Sequence, residues 1–303
     1  MAISAFLYSY ILVFSWIVGI YAAYEPTSRF RMQSVNQTCN VFFGRTNVHA
    51  RKDGRGVNFS LDKLSGSGIV SKNKYYYGFF NGAIKLPAGF TSGVVVAYYL
   101  SNADAFPHNH DEMDIELLGH EKRGRWVLQT NIYGNGSVKT GREEKFHLWF
   151  DPTKGFHNFS ILWNIHHVVF MVDDIPVREV VHDAAISSIY PSKPMSVYTT
   201  IWDGSEWATH GGKYPVDYKY APFVASMRGI EMEGCVWNQK NHTHLLCSRR
   251  TLSSLDPVGG EQFAKLSSRQ RAGMEWARRN HMFYSYCQDK KRYRVLPLEC
   301  REK

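Results

Sequence analysis

The stretch HNHDEMDIELLGH, residues 108–120, sets Glu112, Asp114 and Glu116 at every second position among Met113, Ile115 and Leu117. Side chains alternate between the two faces of a strand, so the three carboxylates share one face and the three apolar residues take the other. The apolar triplet predicts a core side and the acidic triplet a surface or a cleft. Like charges along one strand face repel, and edge-protecting charges are usually lysine or mixed in sign, so decoration explains the pattern poorly. A metal site is an alternative, because His108 and His110 point the same way as the carboxylates. No liganding set is unambiguous, however, and calcium would draw on an Asp/Asn/Gly loop more often than on a strand.

Glycosidic chemistry is the third possibility. Glu112 and Glu116 are four residues apart, which puts their Cα atoms ~13 Å apart at about 3.3 Å per residue. If each side chain leans toward the other by about 4 Å, the carboxyl groups end ~5 Å apart, the spacing of a retaining rather than an inverting pair. One carboxylate then attacks the anomeric carbon, while the other, protonated, serves the leaving oxygen and later acts as base. Asp114, ~6.6 Å from each neighbour along the strand, can hydrogen-bond one of them. Its charge would raise the pKa of a neighbouring acid.

Outward from this stretch, roughly residues 68–203 are short aromatic and β-branched runs: KYYYGFFNGAIKL, GVVVAYYLSN, WVLQTNIYG, KFHLWFD, HNFSILWNI, HVVFMVD and MSVYTTIWD. Gly, Pro, Asn and Asp stand at the breaks, and no helical period persists. The expectation is an all-β antiparallel sandwich or jelly roll. His166 and His167 sit between two runs and are expected to be turn residues, not metal ligands. After Pro222 the texture changes. EQFAKLSSRQRAGMEWARRNH, residues 261–281, is the one long helix expected, preceded by Gly259 and Gly260. Four of the five cysteines also lie here, and neighbour pairing, Cys235 with Cys247 and Cys287 with Cys300, is the simplest arrangement. Cys39 is left over, and zinc is disfavoured because no Cys-x-x-Cys occurs.

With 303 residues, 44% hydrophobic and 21% charged, wholesale disorder is excluded. The uncharged apolar run at 5–23 predicts a secretory signal peptide, 1–23; a membrane anchor is the alternative, since the run approaches spanning length and lacks a basic start. Sequons at Asn36, Asn58, Asn135, Asn158 and Asn241 fit secretion and surface loops. Of the net charge of +9, residues 249–303 carry +7, from 13 Lys or Arg against 6 Asp or Glu. For a secreted chain such a basic segment implies acidic extracellular polymers rather than nucleic acid.

HDEMDIELLG resembles the H-D-E-I-D-F-E-F-L-G signature of the plant xyloglucan endotransglucosylase/hydrolases of glycoside hydrolase family 16. LQTNIYGNG, GREEKFHLWFDPTKGFHNFSILW, IWDGSEWATHGG and MFYSYCQDKKRY with LPLEC follow in that family's order. The resemblance implies a concanavalin-like β-jelly-roll sandwich with a curved open cleft at 24–222, and a C-terminal extension at 223–303 with one helix and two disulfides. It implies Glu112 as nucleophile, Glu116 as acid/base and Asp114 as the assisting residue. Implied substrate contacts are Glu116, Gln129, Thr130, Asn131, Gly141, Arg142, Glu143, Glu206, Trp207 and Gly211, with Tyr99, Trp202, Tyr284 and Arg292 as further positions.

Three departures stand out. Met113, Ile115 and Leu117 replace typical Ile and Phe residues on the buried face; HEKRGRW stands where many relatives carry a sequon; and SNADAFPHNHDE lengthens the loop entering the strand. The function implied is a secreted, apoplastic cell-wall enzyme that cuts xyloglucan with retention and transfers the chain to another xyloglucan end. A xyloglucan hydrolase and a non-catalytic wall-polysaccharide binder are the alternatives. No cofactor, no metal and no stable membrane association after signal cleavage are expected, and the chain is expected to be a monomer.

Overall fold

Met113, Ile115 and Leu117 are fully buried, so the acidic stretch does what an alternating strand requires. Burial of each such side chain contributes roughly 1.5–3 kcal/mol before the entropy of ordering it is subtracted, which fixes the face that turns inward. The structure, a computed structural model, describes residues 30–31, 33–50, 56–237 and 256–301. The expected signal segment 1–23, Asn241 and Cys247 lie outside these residues, and with Cys247 the pairing Cys235–Cys247. Among the described residues no helix is long and apolar enough to cross a membrane.

Strands β1 (Cys39–Phe43), β2 (Val48–Ala50), β3 (Gly56–Leu61), β4 (Ser67–Ser71) and β5 (Tyr75–Lys85) lead to β6 (Val94–Ser101) and β7 (Glu112–Gly119). After these come β8 (Trp126–Tyr133), β9 (Glu144–His147), β10 (His157–Trp163), β11 (His167–Val172), β12 (Ile175–Val181), β13 (Ser196–Asp203), β14 (Phe223–Val236) and β15 (Met282–Ser285). They form an eight-stranded sheet, β1-β4-β13-β6-β7-β8-β9-β15, and a seven-stranded sheet, β12-β11-β10-β5-β14-β3-β2. Strands far apart in sequence pair, β4 with β13 and β5 with β14, as the crossings of a jelly roll produce. Tyr98, Leu100, Ile115, Leu128 and Phe146 of one sheet and Phe59, Phe80, Phe159, Trp163 and Phe170 of the other are buried between the two.

Several expectations change. The boundary at 222 does not separate two bodies, because β14 begins at Phe223 and lies between β5 and β3. The described residues from Arg31 onward form one compact unit. The long helix, α1 (Ser268–His281), starts later than residue 261, because Ser267 caps it: its side chain accepts from Gln270 N–H while the Gln270 side chain accepts from the Ser267 N–H. The segment from 261 to 263 is a separate short turn. His167 is no turn residue; it opens β11, fully buried, with Nδ1 2.6 Å from Glu179 Oε1 and Nε2 2.8 Å from the Phe263 carbonyl. The turn that the sequence places at Asp173 and Asp174 does join β11 to β12, both residues at positive φ. Asn36 and Asn135 are exposed, whereas Asn58 and Asn158 are half-buried inside β3 and β10 rather than in loops. The Cys287–Cys300 disulfide is present and Cys39 is unpaired, its thiol pushed up by burial against the smaller effects of Thr38 and Lys72.

Gly119 ends β7 where a Cβ would lie 1.8 Å from the Thr91 carbonyl oxygen. Backbone cannot yield there as a flexible side chain would, so Gly119→Ala is expected to cost about 1–3 kcal/mol, measured as a lower denaturant midpoint at unchanged m-value.

Candidate active site

The floor of the site is three antiparallel rows fixed by strand register. Glu112 stands between Ser101 of β6 and Tyr133 of β8; Asp114 between Tyr99 and Asn131; Glu116 between Ala97 and Gln129. One strand beyond β6, β13 adds Tyr198 beside Tyr99 and Thr200 beside Ala97. The resulting cleft, about 770 Å³, is lined by the three carboxylates, Tyr99, Gln129, Asn131, Glu143, Trp202 and Trp207, together with Phe43, Ala97, Tyr133 and Thr200. Buried Val95, Leu118 and Ala208 seat the indoles of Trp202 and Trp207, whose ring centroids are 5.8 Å apart. Tyr99 stacks on Tyr198 at 4.9 Å. Flat aromatic faces flanking hydrogen-bonding groups suit sugar rings and their hydroxyls.

Electrostatics separate the three acids. Burial raises the Glu112 pKa, opposed by a hydrogen bond with the Ser101 side chain and by His110, whose Nε2 is 4.0 Å from Glu112 Oε2. Asp114, 7% exposed, is pushed well above the usual carboxylate range, first by burial and then by the charges of Glu112, Glu116 and Glu143. Glu116 rises to about 7, mainly through burial, with Glu112 and Glu143 adding to it. Gln129 Nε2, donating to Glu116 Oε2 at 2.5 Å, and Lys145 hold it down. Asp114 is thus not the charge that lifts Glu116: it is itself driven toward the neutral form.

Some expected contacts lie elsewhere. Thr130 is fully buried on the side of β8 opposite Gln129 and Asn131, and its hydroxyl accepts from Arg178 Nη1 at 3.2 Å. Arg142, 5% exposed, donates from Nε to Glu299 Oε1 at 2.6 Å, while its backbone N–H donates to Asn131 Oδ1 at 2.9 Å and orients that amide. Both position the cleft and do not line it. Glu206 and Gly211 lie in the turns after β13, outside the lining. Glu143 does line the cleft and takes both Arg292 Nη1, at 2.6 Å, and Nη2, at 3.2 Å. Tyr284 Oη is 3.5 Å from the same Nη1, so both residues of the extension stand at the cleft edge. A Cβ at Gly141 would lie 2.2 Å from Arg292 Nη2 and 2.3 Å from Glu143 Oε1, so a side chain there would displace this ion pair.

Tyr133 and Lys145 were legible as unused alternation: Tyr133 continues Gln129 and Asn131, and Lys145 continues Glu143. Phe43 and Thr200 carried no local signal. Asp111, just before β7, carries no local sequence signal either. Fully buried, its Oδ2 accepts Ser192 N–H and Lys193 N–H, and its Oδ1 accepts Asn135 N–H and Lys193 Nζ, at 2.6–2.9 Å.

Residues 35–220 match the family described as Glycosyl hydrolases family 16, and residues 255–300 match the Xyloglucan endo-transglycosylase (XET) C-terminus. Probable xyloglucan endotransglucosylase/hydrolase protein 30 of Arabidopsis thaliana is 46% identical over 88% of this chain and 77% of that protein. The chain belongs to the xyloglucan endotransglucosylase/hydrolase family. Xyloglucan endotransglucosylase/hydrolase protein 31 of the same plant is 39% identical, covering 91% of each chain. Among solved structures, an apo Crh5 transglycosylase is similar at TM-score 0.55 and 24% identity over 68% of this chain and 82% of that one. A Bacillus licheniformis β-glucanase gives 0.53 and 22% over 70% and 97%. At these identities the structures bear out the jelly-roll fold.

Asp111→Ala strands the Lys193 ammonium and three backbone donors at the start of the carboxylate strand. Breaking a buried pair of this kind costs roughly 3–5 kcal/mol, so chemical denaturation is expected to show a loss of that size.

Proposed function

We propose that the cleft cuts the β-1,4-glucan backbone of xyloglucan with retention and passes the new chain end to a second xyloglucan chain. The observation that carries this is the carboxylate triad on one strand face, at three unequal pKa environments, in a member of this family. Glu112 is the nucleophile. Ser101 and His110 favour its ionised form, and its oxygen bonds to the anomeric carbon as the bond from that carbon to the leaving oxygen breaks. Glu116, with a pKa of about 7, retains a proton near neutrality and delivers it to the leaving oxygen. Asp114, pushed toward its neutral form by burial and by the neighbouring carboxylates, keeps a hydrogen for Glu112 without adding a third charge. In the second step the incoming hydroxyl gives its proton to Glu116 while its oxygen displaces Glu112 from the anomeric carbon, restoring both carboxyl groups.

Water taking the acceptor's place gives hydrolysis by the same steps. Transfer is favoured because Tyr284 and the Arg292–Glu143 pair extend the cleft wall beyond the triad, where a second sugar chain gains contacts that water does not. The setting proposed is the plant cell wall: secretion after removal of residues 1–23, glycosylation at exposed Asn36 or Asn135, and attraction of acidic wall polymers by the basic segment at 249–303.

Purified enzyme given xyloglucan and a labelled xyloglucan oligosaccharide is expected to build the label into polymer; reducing ends accumulating without incorporation would establish the hydrolase instead. Glu112→Ala is expected to abolish both products, and full turnover in that variant would eliminate this mechanism. The acid form of Glu116 is the active one, so the rate is expected to fall as pH rises through about 7. In Gln129→Leu the donor that stabilises the Glu116 carboxylate is gone, its pKa rises, and the alkaline limb of the pH–rate profile moves to higher pH.

A further inference from the structure

Outside the carboxylate cleft, His120, Glu121 and His210 bring three donor atoms to one point. His120 and Glu121 directly follow β7, and His210 lies in the turn that carries Trp207. Glu121 Oε2 is 2.8 Å from His120 Nδ1 and 3.1 Å from His210 Nε2, and the three atoms all lie within 4.8 Å of one another. Imidazole nitrogens and a carboxylate oxygen bound at about 2.0–2.2 Å around a tetrahedral ion stand roughly 3.3 Å apart. The two spacings to the carboxylate oxygen need little adjustment to reach that, and the two nitrogens, within 4.8 Å of each other, would close by about 1.5 Å at most.

Without an ion, the Lys122 backbone N–H donates to His120 Nδ1 at 3.1 Å. A bound cation takes that lone pair in place of the N–H, and the Glu121 carboxylate oxygen 2.8 Å from the same nitrogen supplies the neighbouring ligand. His210 supports the arrangement from the other side. Its φ of 54° is a left-handed conformation that a non-glycine residue adopts at a cost, and it presents the imidazole to Glu121. The His120 and Glu121 side chains are 14% and 27% exposed and His210 is 52% exposed, so the site opens to solvent on one side, with room for a water ligand.

We propose that His120, Glu121 and His210 form a binding site for a zinc-class divalent cation. Two nitrogen donors and one carboxylate select zinc or copper over calcium and magnesium, which take oxygen ligands in larger number. The bound ion ties the end of β7 to the turn after β13. Thr209 already bolts that turn, its Oγ1 donating to the Gly119 carbonyl at 2.7 Å and accepting Gly93 N–H at 2.8 Å. A cation one residue further on stiffens the support of Trp207 without touching the three acids. The site therefore stands or falls independently of the transfer mechanism.

The test is calorimetric titration of the chelator-treated full chain with Zn²⁺, and separately with Ca²⁺, alongside melting curves. One zinc per chain is expected, raising Tm, with calcium giving no heat. In Glu121→Gln and in His210→Ala, both at solvent-accessible positions, zinc affinity is expected to drop by about tenfold or more and the Tm rise to vanish, with the far-UV spectrum unchanged. Absence of zinc binding, zinc binding undiminished in both variants, or calcium binding as tight as zinc overturns the proposal.

Discussion

Three carboxyl groups at alternate positions of one strand, on the floor of a cleft flanked by aromatic rings, cannot all be ionised together. Everything else about the site follows from how the surrounding strands divide that burden. β6 supplies a hydroxyl, a phenol ring and a methyl group opposite Glu112, Asp114 and Glu116 in turn, and β8 supplies a phenol and two amides. Burial raises all three, but Glu112 gains partners that favour its anion, Asp114 is pushed further toward its neutral form by the carboxylates around it, and Glu116 comes to about 7. Antiparallel register is thus the device that makes chemically identical side chains unequal. Slipping β7 by one residue would turn its whole acidic set into the core, which the apolar triplet forbids.

Register needs an anchor, and Asp111 provides it at one end and Gly119 at the other. Asp111 gathers backbone donors from the segments at 135 and 192–193 onto one buried carboxylate, closed by the Lys193 ammonium. Asn102 Oδ1 in turn accepts the Asp111 N–H at 2.8 Å, tying the end of β6 to the start of β7. Gly119 lets the Thr91 backbone pass so closely that the far end of the strand cannot drift. The carboxylate strand is therefore pinned at both ends by groups outside the cleft lining.

What could be read from residues alone follows this division. Period-two alternation is local, so the split of residues 112–117 into core and cleft faces was available from six letters, and the same logic applied to β8 and β9 yields Tyr133 and Lys145. It equally explains why Thr130 and Arg142 fall away from the lining, since alternation puts Thr130 opposite its neighbours. Partners set by crossing strands left no such trace. Phe43 and Thr200 reach the cleft only because β1 and β13 belong to the same sheet as β7. His167 looked like a turn residue because its carboxylate partner, Glu179, and the Phe263 carbonyl lie on elements brought in by the fold. The helix start shifted because a capping box at Ser267 outweighs the weaker continuity of residues 261–266.

The same alternation shows why the C-terminal extension cannot be an independent module. In the GREE segment, Glu143 faces the cleft and holds Arg292, while Glu144, one residue on, faces inward and holds Arg278 of α1 through two hydrogen bonds at 2.6 and 2.9 Å. Arg142 takes Glu299 from the loop closed by the Cys287–Cys300 disulfide, and Tyr293 Oη donates to the Gly141 carbonyl. Four successive residues, leading into β9, are thus each tied to the extension. β15 then pairs with β9 and removes that edge from solvent. Arg142, Glu144 and Glu299 are largely buried, so loosening the extension would leave charges unpaired in the interior, a costlier outcome than losing an exposed ion pair. The segment that carries Tyr284 and Arg292 is accordingly anchored to the sheet by these buried pairs rather than by its own exposed one, the support that the acceptor role proposed for it needs if a second sugar chain is to arrive in register with the acids.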